Sequence, residues 1–225
     1  MSKKYILGID TATRQCSVAL SEGEKIIAIR EARGRAVHNK KLADFIDALM
    51  NETGLDFQAV KGIAINIGPG SFTGLRIGLS MAKGLAYPYN LPILPVPAFS
   101  ILDSASSDKK EKKLLFIRSH KNYVYHSISQ PDNQNKLSPN VEYGLLKEVL
   151  FSYPDIEYFA GDYDFPQLKD IGEFNLLYPH AKYACVLGYQ HFKKLAGKSK
   201  PEMEPQYLTT FEAKKWKPAI GKKEN

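Results

Sequence analysis

The spacing of apolar residues in the first hundred positions predicts a sheet that forms before any long helix. Polar turns separate the first three apolar runs, which favours an antiparallel meander. Helices and strands then alternate, which gives the order β-β-β-α-β-α-β. The predicted strands lie at residues 5–9, 16–20, 25–29, 63–67 and 91–96. A meander that leads into alternating helices and strands predicts an α/β fold with a mixed sheet.

Two helices are predicted between these strands. The first has one apolar stripe at i, i+3, i+4 and i+7, and Gly54 is its stop signal. The second runs from about residue 72 to residue 87, is apolar on several sides, and stops at Pro88. The stripe of the first helix consists of Leu42, Phe45, Ile46 and Leu49.

The second half of the chain partly repeats this plan after a polar stretch at residues 103–113, which has the composition of a surface linker. The repeat consists of strands at 114–117, 123–128 and 157–160 and of helices near 145–151 and 181–195. Two half-copies of one plan predict an actin-like (ASKHA, ribonuclease-H-like) fold of two lobes, each with a mixed β-sheet flanked by helices. The predicted parts are an N-terminal lobe (1–102), the linker (103–113), a smaller C-terminal lobe (114–210) and a basic, mobile tail (211–225).

Charge and composition limit which classes of function fit this sequence. The formal net charge of the 225 residues is +7, but residues 213–225 alone hold five lysines against one acidic residue. We therefore interpret the excess as a solubilising tail rather than a dedicated RNA groove, and leave tRNA contact within a complex open. No apolar run is long enough to cross a bilayer, so no membrane contact and a cytoplasmic location are expected. Cys16 and Cys185 lie far apart and are predicted to be reduced core thiols.

The most informative motif is residues 67–78, Ile-Gly-Pro-Gly-Ser-Phe-Thr-Gly-Leu-Arg-Ile-Gly, which a strand enters and a helix leaves. Its glycines permit a sharp turn, Ser71 can cap the helix, and free N–H groups at a helix start suit an anion. The motif lacks the Gly-Lys-Ser/Thr ending of a Walker loop and the spacing of a dinucleotide fingerprint. The residue pattern alone favours a tight turn that seats the helix over an anion site. Possible anion or nucleotide contacts are Gly68, Gly70, Ser71, Thr73 and Arg76.

The same motif resembles the signature of the TsaB/YeaZ family, which is glycoprotease-like and related to peptidase M22. Residues 6–13 and 17–20 resemble the opening of that family, and residues 205–208 resemble its Pro-x-Tyr-Leu. His38 also stands, as in the family, just before an amphipathic helix. The resemblance implies an actin-like fold and a role in bacterial tRNA threonylcarbamoyladenosine biosynthesis.

The resemblance also implies partners. A TsaB-like chain is expected to be the non-catalytic partner of a paralogous TsaD-type subunit, which transfers threonylcarbamoyl to the adenosine beside the anticodon. A TsaE-type ATPase subunit is a further expected partner, tRNA would be contacted indirectly, and the chain alone would form a homodimer. It would have no cofactor of its own, with ATP or ADP and metal on the partner subunit or the complex.

A pairing surface is predicted on the two first-lobe helices, because the second helix has more apolar sides than one sheet can cover. The alternative is that this chain buries both sides itself. The predicted interface residues are His38, Leu42, Phe45, Ile46, Leu49, Leu75, Gly78, Leu79, Ala82 and Lys83.

Neither catalytic residues nor a metal site are predicted. No two of the five histidines stand four apart on one helix, the spacing that a His-x-x-x-His zinc site needs, which disfavours a metallopeptidase. Asp10 ends the first strand, but Ala12 stands where a phosphate hairpin would need glycine, so a hydrogen-bonded turn carboxylate is favoured. The matching second-lobe turn, residues 117–123, has neither glycine nor acid. The rival function is an ATP-dependent phosphotransferase of the sugar-kinase type.

The second lobe departs from the family pattern. Arg118, Ser119 and His120 stand where the family usually has Asp-Ala-Arg, and Thr209 replaces the usual arginine after Pro-x-Tyr-Leu.

Overall fold

The computed structural model describes residues 4–106, 112–130, 137 and 139–208. Its strands are β1 (Tyr5–Asp10), β2 (Gln15–Glu22), β3 (Lys25–Arg33), β4 (Val60–Asn66), β5 (Ile93–Val96), β6 (Lys113–Arg118), β7 (Tyr123–Ser129), β8 (Glu142–Leu145), β9 (Tyr158–Gly161) and β10 (Glu173–Leu176). Its helices are α1 (Val37–Thr53), α2 (Phe72–Ala86), α3 (Ala98–Ala105), α4 (Leu146–Ser152), α5 (Ala181–Gln190) and α6 (Phe192–Ala196).

The first sheet has the order β3-β2-β1-β4-β5, with β1 to β3 antiparallel and β4 and β5 parallel to β1. Leu7 and Ile9 point to the face that α1 and α2 cover, and Ile6 points to the face that α5 covers. The alternation of apolar side chains thus builds a core on each side of the sheet. Gly54 ends α1, as predicted, and adopts the left-handed conformation.

The second sheet has the order β10-β9-β6-β7-β8, which is the first order when read from β8. β6, β7 and β8 form the antiparallel meander, and β9 and β10 run parallel to β6. The prediction of two half-copies is confirmed. One element differs, because a single 3-10 turn (Pro166–Leu168) stands where the first lobe has α2.

The lobe boundaries differ from the predicted ones. The unpredicted helix α3 extends into the predicted linker, and β6 begins at Lys113. Residues 181–195 form two helices, and both pack on the first sheet instead of the second. Gly8 allows α5 to approach, since a Cβ there would lie 2.4 Å from the Ala181 carbonyl oxygen. The predicted tail at 211–225 lies outside the described residues.

The two cysteines are buried and free, as predicted, and within the described ranges every helix is too short or too polar to cross a lipid bilayer. Burial raises the pKa of both the Cys16 and the Cys185 thiol to about 12.

Most of the predicted pairing surface lies inside this chain. Ala82 has no exposed surface, because α2 lays this side against the first sheet and α1. The prediction that the buried members of this set form an interface is therefore wrong. They belong to the core of this chain, as the alternative interpretation held. His38, Phe45 and Lys83 remain partly exposed. The buried residues are Leu42, Ile46, Leu49, Leu75, Gly78, Leu79 and Ala82.

Candidate functional site

Asp10 and Asn66 meet where β1 and β4 end, and both are fully buried. Asn66 Nδ2 donates a hydrogen bond to Asp10 Oδ2 at 2.7 Å, and the Ala12 N–H donates to Asp10 Oδ1 at 3.1 Å. Burial raises the pKa of Asp10 to about 6, and these two bonds act in the opposite direction. The contacts agree with the interpretation of Asp10 as a hydrogen-bonded turn carboxylate.

Three N–H groups of the glycine-rich loop donate hydrogen bonds within the chain. The Gly68 N–H donates to Asn66 Oδ1 at 2.9 Å, and the Ser71 N–H donates to the Ala12 oxygen at 2.6 Å. The Gly74 N–H donates to Ser71 Oγ at 3.2 Å, so Ser71 caps α2 as predicted. Three donors that could have faced an anion therefore already have partners.

Two glycines of this loop allow close packing against the turn after β1. A Cβ on Gly70 would lie 2.4 Å from the Ala12 oxygen, and one on Gly74 would lie 2.1 Å from the Thr11 oxygen. Thr11 Oγ1 also donates to the Gly74 oxygen at 2.8 Å. These contacts support the tight turn that seats α2, which the residue pattern favoured.

A different arrangement occupies the matching strand ends of the second lobe. The Arg118 N–H at the end of β6 donates to Oδ1 of Asp162, which follows β9, at 2.7 Å. The Arg118 guanidinium lies over the Tyr163 ring at 3.8 Å, and its Nε donates to the Lys121 oxygen at 3.0 Å. Burial raises the pKa of Asp162 to about 7, although Arg118 and, from the first lobe, Arg14 oppose the shift. Asp162 therefore interacts with cations of both lobes.

Four aromatic rings form a row on β7, on β8 and in the turn before β7. Tyr125 and Tyr143 are opposite each other on β7 and β8, with ring centres 5.2 Å apart. Tyr123 stacks on Tyr143 at 5.4 Å, and His120 stacks on Tyr123 at 5.0 Å with 17° between the planes. The row ends at His120, which is exposed.

A cleft of about 1250 Å³ lies between the two lobes. Residues of the glycine-rich loop, the ring row and Asp162 all line it. Among the predicted anion contacts, Gly70, Ser71 and Thr73 line it, and His38, predicted at the interface, lines it as well. Burial lowers the pKa of His38, against hydrogen bonds to backbone that raise it. Further lining residues are Arg14, Arg35, Arg118, Lys121, Asp162 and the four rings.

The other two predicted anion contacts lie elsewhere. A Cβ on Gly68 would lie 3.0 Å from the Gln206 oxygen, so the C-terminal segment covers this glycine. Arg76 packs on the Phe72 ring at 3.8 Å, and its Nε donates to the Tyr207 hydroxyl at 3.0 Å. Arg76 therefore lies on the outer side of α2, outside the cleft.

The outer side of α2 carries a shallow groove of about 520 Å³. Ile77, Met81 and Leu85 are spaced four apart along it and are only partly buried. A Cβ on Gly84 would meet nothing within 4 Å, so this part of the helix is open to close approach. The groove is lined by Arg76, Ile77, Ser80, Met81, Gly84 and Leu85.

Several cleft residues were not singled out from the sequence. Asp162 follows Gly161 at a strand end, as Asp10 ends β1, and that parallel was a usable signal. Tyr143 enters the row through the pairing of β7 with β8, which the sequence did not indicate because β8 was not predicted. Within residues 4–106, 112–130, 137 and 139–208, no three His, Cys, Asp or Glu side chains are grouped as a metal site would need. The absence of a metal stays a prediction.

Comparisons with known proteins find TsaB proteins and the family model of the TsaD transferase. Residues 34–129 match the family model "TsaD: tRNA N6-adenosine threonylcarbamoyltransferase". The tRNA threonylcarbamoyladenosine biosynthesis protein TsaB of Haemophilus influenzae is 36% identical over 130 residues, which span 56% of this chain and only 54% of that protein. The TsaB of Buchnera aphidicola subsp. Baizongia pistaciae is 30% identical over 197 residues, which cover 82% of this chain and 88% of that protein.

A solved structure titled "YeaZ from Pseudomonas aeruginosa" shares the fold, with a TM-score of 0.73 at 24% identity over 91% of this chain and 100% of that one. The likeness agrees with the predicted two-lobed actin-like fold.

Proposed function

Because this chain belongs to the TsaB/YeaZ family, we propose that it takes part in tRNA threonylcarbamoyladenosine biosynthesis as a non-catalytic partner subunit. Its partner would be a paralogous TsaD-type subunit, and a TsaE-type ATPase would join the complex. The match of residues 34–129 to the TsaD model supports shared ancestry with the transferase. Two paralogous subunits can pair through similar surfaces, as the subunits of a twofold dimer do.

The observation that carries this proposal is the second apolar side of α2. Its inner side already fills the core, yet Ile77, Met81 and Leu85 form a further apolar stripe that this chain only partly covers. Ser80 and Gly84 are small, exposed and four apart, so a partner helix can approach closely beside the stripe. An apolar stripe with small neighbours is typical of an interface. The proposed surface is thus the outer side of α2, and we propose that Lys83, which lies on the same helix and is partly exposed, belongs to its margin.

We also propose that this chain itself catalyses no step of the reaction. Both oxygens of the Asp10 carboxylate accept hydrogen bonds from within the chain. Three N–H groups of the neighbouring loop also donate to acceptors within the chain. The same contacts argue against the rival phosphotransferase, because the glycine loop presses on Ala12 instead of leaving room for a phosphate. ATP or ADP and metal would then belong to the partner subunit or the complex.

The pairing surface is tested with Gly84→Arg. A side chain there meets open space, so the variant should fold and be at least as stable as the wild type, but its cation should weaken binding of a TsaD-type subunit by about tenfold or more. Gln190→Arg, an exposed position on α5 across the sheet, is the matched control. Size-exclusion chromatography with light scattering measures the complex, and also the homodimer that we expect for the chain alone. Wild-type binding by Gly84→Arg would refute the surface.

The non-catalytic role is tested with Asp10→Ala in a reconstituted modification assay, run well below the melting temperature of the variant. A structural carboxylate should leave the rate within about twofold of wild type, whereas loss of a catalytic acid or base costs about a hundredfold or more. A rate loss of that size in a variant that still folds and assembles would refute the proposal.

A further inference from the structure

The cleft between the lobes has an excess of positive charge. Arg14 and Arg35 line it from the first lobe, and Arg118 and Lys121 line it from the second. Asp162 is the one acidic residue among the described residues that line the cleft. Arg14, Arg35 and Lys121 are exposed, so their cations are accessible to a ligand. A cleft with cations on both walls attracts a polyanion.

The row of four rings indicates which class of polyanion the cleft would bind. His120, Tyr123 and Tyr143 stack in sequence along one wall, Tyr125 follows with its ring tilted by 45° to that of Tyr143, and the exposed His120 ring is the end of the row. Arg118 and Lys121 lie in the same stretch of chain as His120. Rings interleaved with cations are how proteins bind unpaired nucleic acid, since bases stack on the rings while phosphates meet the cations.

The dimensions favour an oligomer over one nucleotide. The cleft encloses about 1250 Å³ and is open at its mouth, whereas a pocket for one small molecule usually holds about 300 to 1,000 Å³. On the first-lobe wall the N–H groups of Ser71 and Gly74 already donate within the chain, which leaves fewer loop amides for a terminal phosphate.

We propose that this cleft binds single-stranded RNA, with phosphates against the cations of both lobes and one unpaired base stacked on the end of the ring row at His120. The choice of RNA rests on the proposed function, and direct binding goes beyond the indirect tRNA contact that the family resemblance implies. The cleft and the groove on the outer side of α2 share Ile77, whereas the cations and rings of the proposed RNA site line only the cleft.

The test measures fluorescence anisotropy of a short, labelled, mixed-sequence single-stranded RNA with the full chain alone. We expect saturable binding at low salt that the double variant Arg35→Glu, Lys121→Glu weakens by about tenfold or more. The control is Lys61→Glu, Lys147→Glu, which changes the charge equally at exposed positions, one on each lobe and both outside the cleft, and should bind like the wild type. All variants keep the lysine-rich residues 211–225, so any attraction by that segment is constant.

A second variant separates stacking from charge. His120→Ala removes the exposed ring, keeps the four cations, and should weaken single-stranded RNA by about fivefold or more while leaving a blunt RNA duplex unaffected. The proposal is overturned by no binding of wild type, by equal losses in the cleft and control pairs, or by duplex binding as tight as single-stranded binding. Displacement by ATP at equal concentration would mark a nucleotide pocket and also overturn it. Because no TsaD-type subunit is present, these results are independent of the pairing test.

Discussion

At the end of β1 the first lobe places Asp10, and at the matching end of β6 the second lobe places Arg118. In the first lobe the neighbouring β4 contributes Asn66, and the pair is sealed beneath the glycine loop. In the second lobe the carboxylate is that of Asp162, which follows the neighbouring strand β9, and among the described residues a 3-10 turn stands where the first lobe has the long helix α2. One strand plan therefore ends in a closed edge in one lobe and an open, cationic edge in the other.

The difference shows where a ligand can be bound. The glycine-rich loop is the most informative motif of the sequence. In the structure, however, Gly70 and Gly74 allow close packing against Ala12 and Thr11. The second-lobe turn has no motif that stands out, yet it supplies Arg118, His120 and Lys121 to the cleft. Substitutions at the two edges should accordingly have unlike effects on the free energy of unfolding.

The largest effect is expected for Gly74→Ala at the closed edge. Its methyl group would lie 2.1 Å from the Thr11 backbone oxygen, so the loop or the strand must shift, at a cost of about 3 kcal/mol. Gly84→Ala on the same helix meets open space and should stabilise by about 0.5 to 1 kcal/mol, because alanine favours helix. Urea unfolding curves measure both. Equal unfolding free energies would mean that the edge is not tightly closed.

Asp10→Ala should come next, with a loss of about 2 kcal/mol. It leaves Asn66 Nδ2 and the Ala12 N–H buried without their acceptor, and each such donor is costly. The gain from removing a buried carboxylate, whose pKa is raised to about 6, offsets part of this cost. Thermal unfolding near neutral pH is the measurement. A variant as stable as wild type would show that these bonds contribute nothing net.

At the open edge, Asp162→Asn should change the pH dependence of stability by about 1 kcal/mol. The folded pKa of Asp162 is raised to about 7 from 3.8, so between these pH values the folded chain binds more protons than the unfolded chain. The contribution of Asp162 to stability therefore falls as pH rises from about 4 to 7. One pKa unit corresponds to about 1.4 kcal/mol, and solvent in the open cleft reduces the full shift.

Asparagine keeps the oxygen that accepts from the Arg118 N–H and does not titrate. Unfolding measured at several pH values should show the variant equal to wild type near pH 4 and more stable near pH 8. Parallel pH profiles would mean that Asp162 titrates normally.

The sequence predicted most of the first lobe because its signals are local. The apolar spacing indicated the order from β1 to β5, and Ser71 and Gly54 marked where α2 begins and α1 ends. The orientation of α2 could not be predicted in this way. Ala82 and Met81 are neighbours on a helix that is apolar on several sides, and only the packing of α1 and the sheet decides which one is buried.

The cleft was harder to predict because it depends on contacts between distant segments. Tyr125 meets Tyr143 through strand pairing, and the charge of Arg14 acts on Asp162 from the other lobe. The attachment of α5 to the first sheet likewise requires Gly8 to face Ala181, more than 170 positions away along the chain. None of these pairs leaves a periodic pattern.

The smallest effect is expected for His120→Ala, which tests whether the ring row is a ligand surface or a support. His120 is exposed, stacks only on Tyr123 among its described ring contacts, and lies 3.4 Å from Ser119 Oγ and 3.5 Å from the Tyr143 hydroxyl, at the limit for hydrogen bonds. Surface substitutions of this kind usually change the unfolding free energy by no more than about 0.5 kcal/mol. Urea unfolding of His120→Ala beside Asp10→Ala compares the open edge with the closed one. If the histidine variant loses as much stability as the aspartate variant, the row holds the second lobe together, and the contrast between the two edges is wrong.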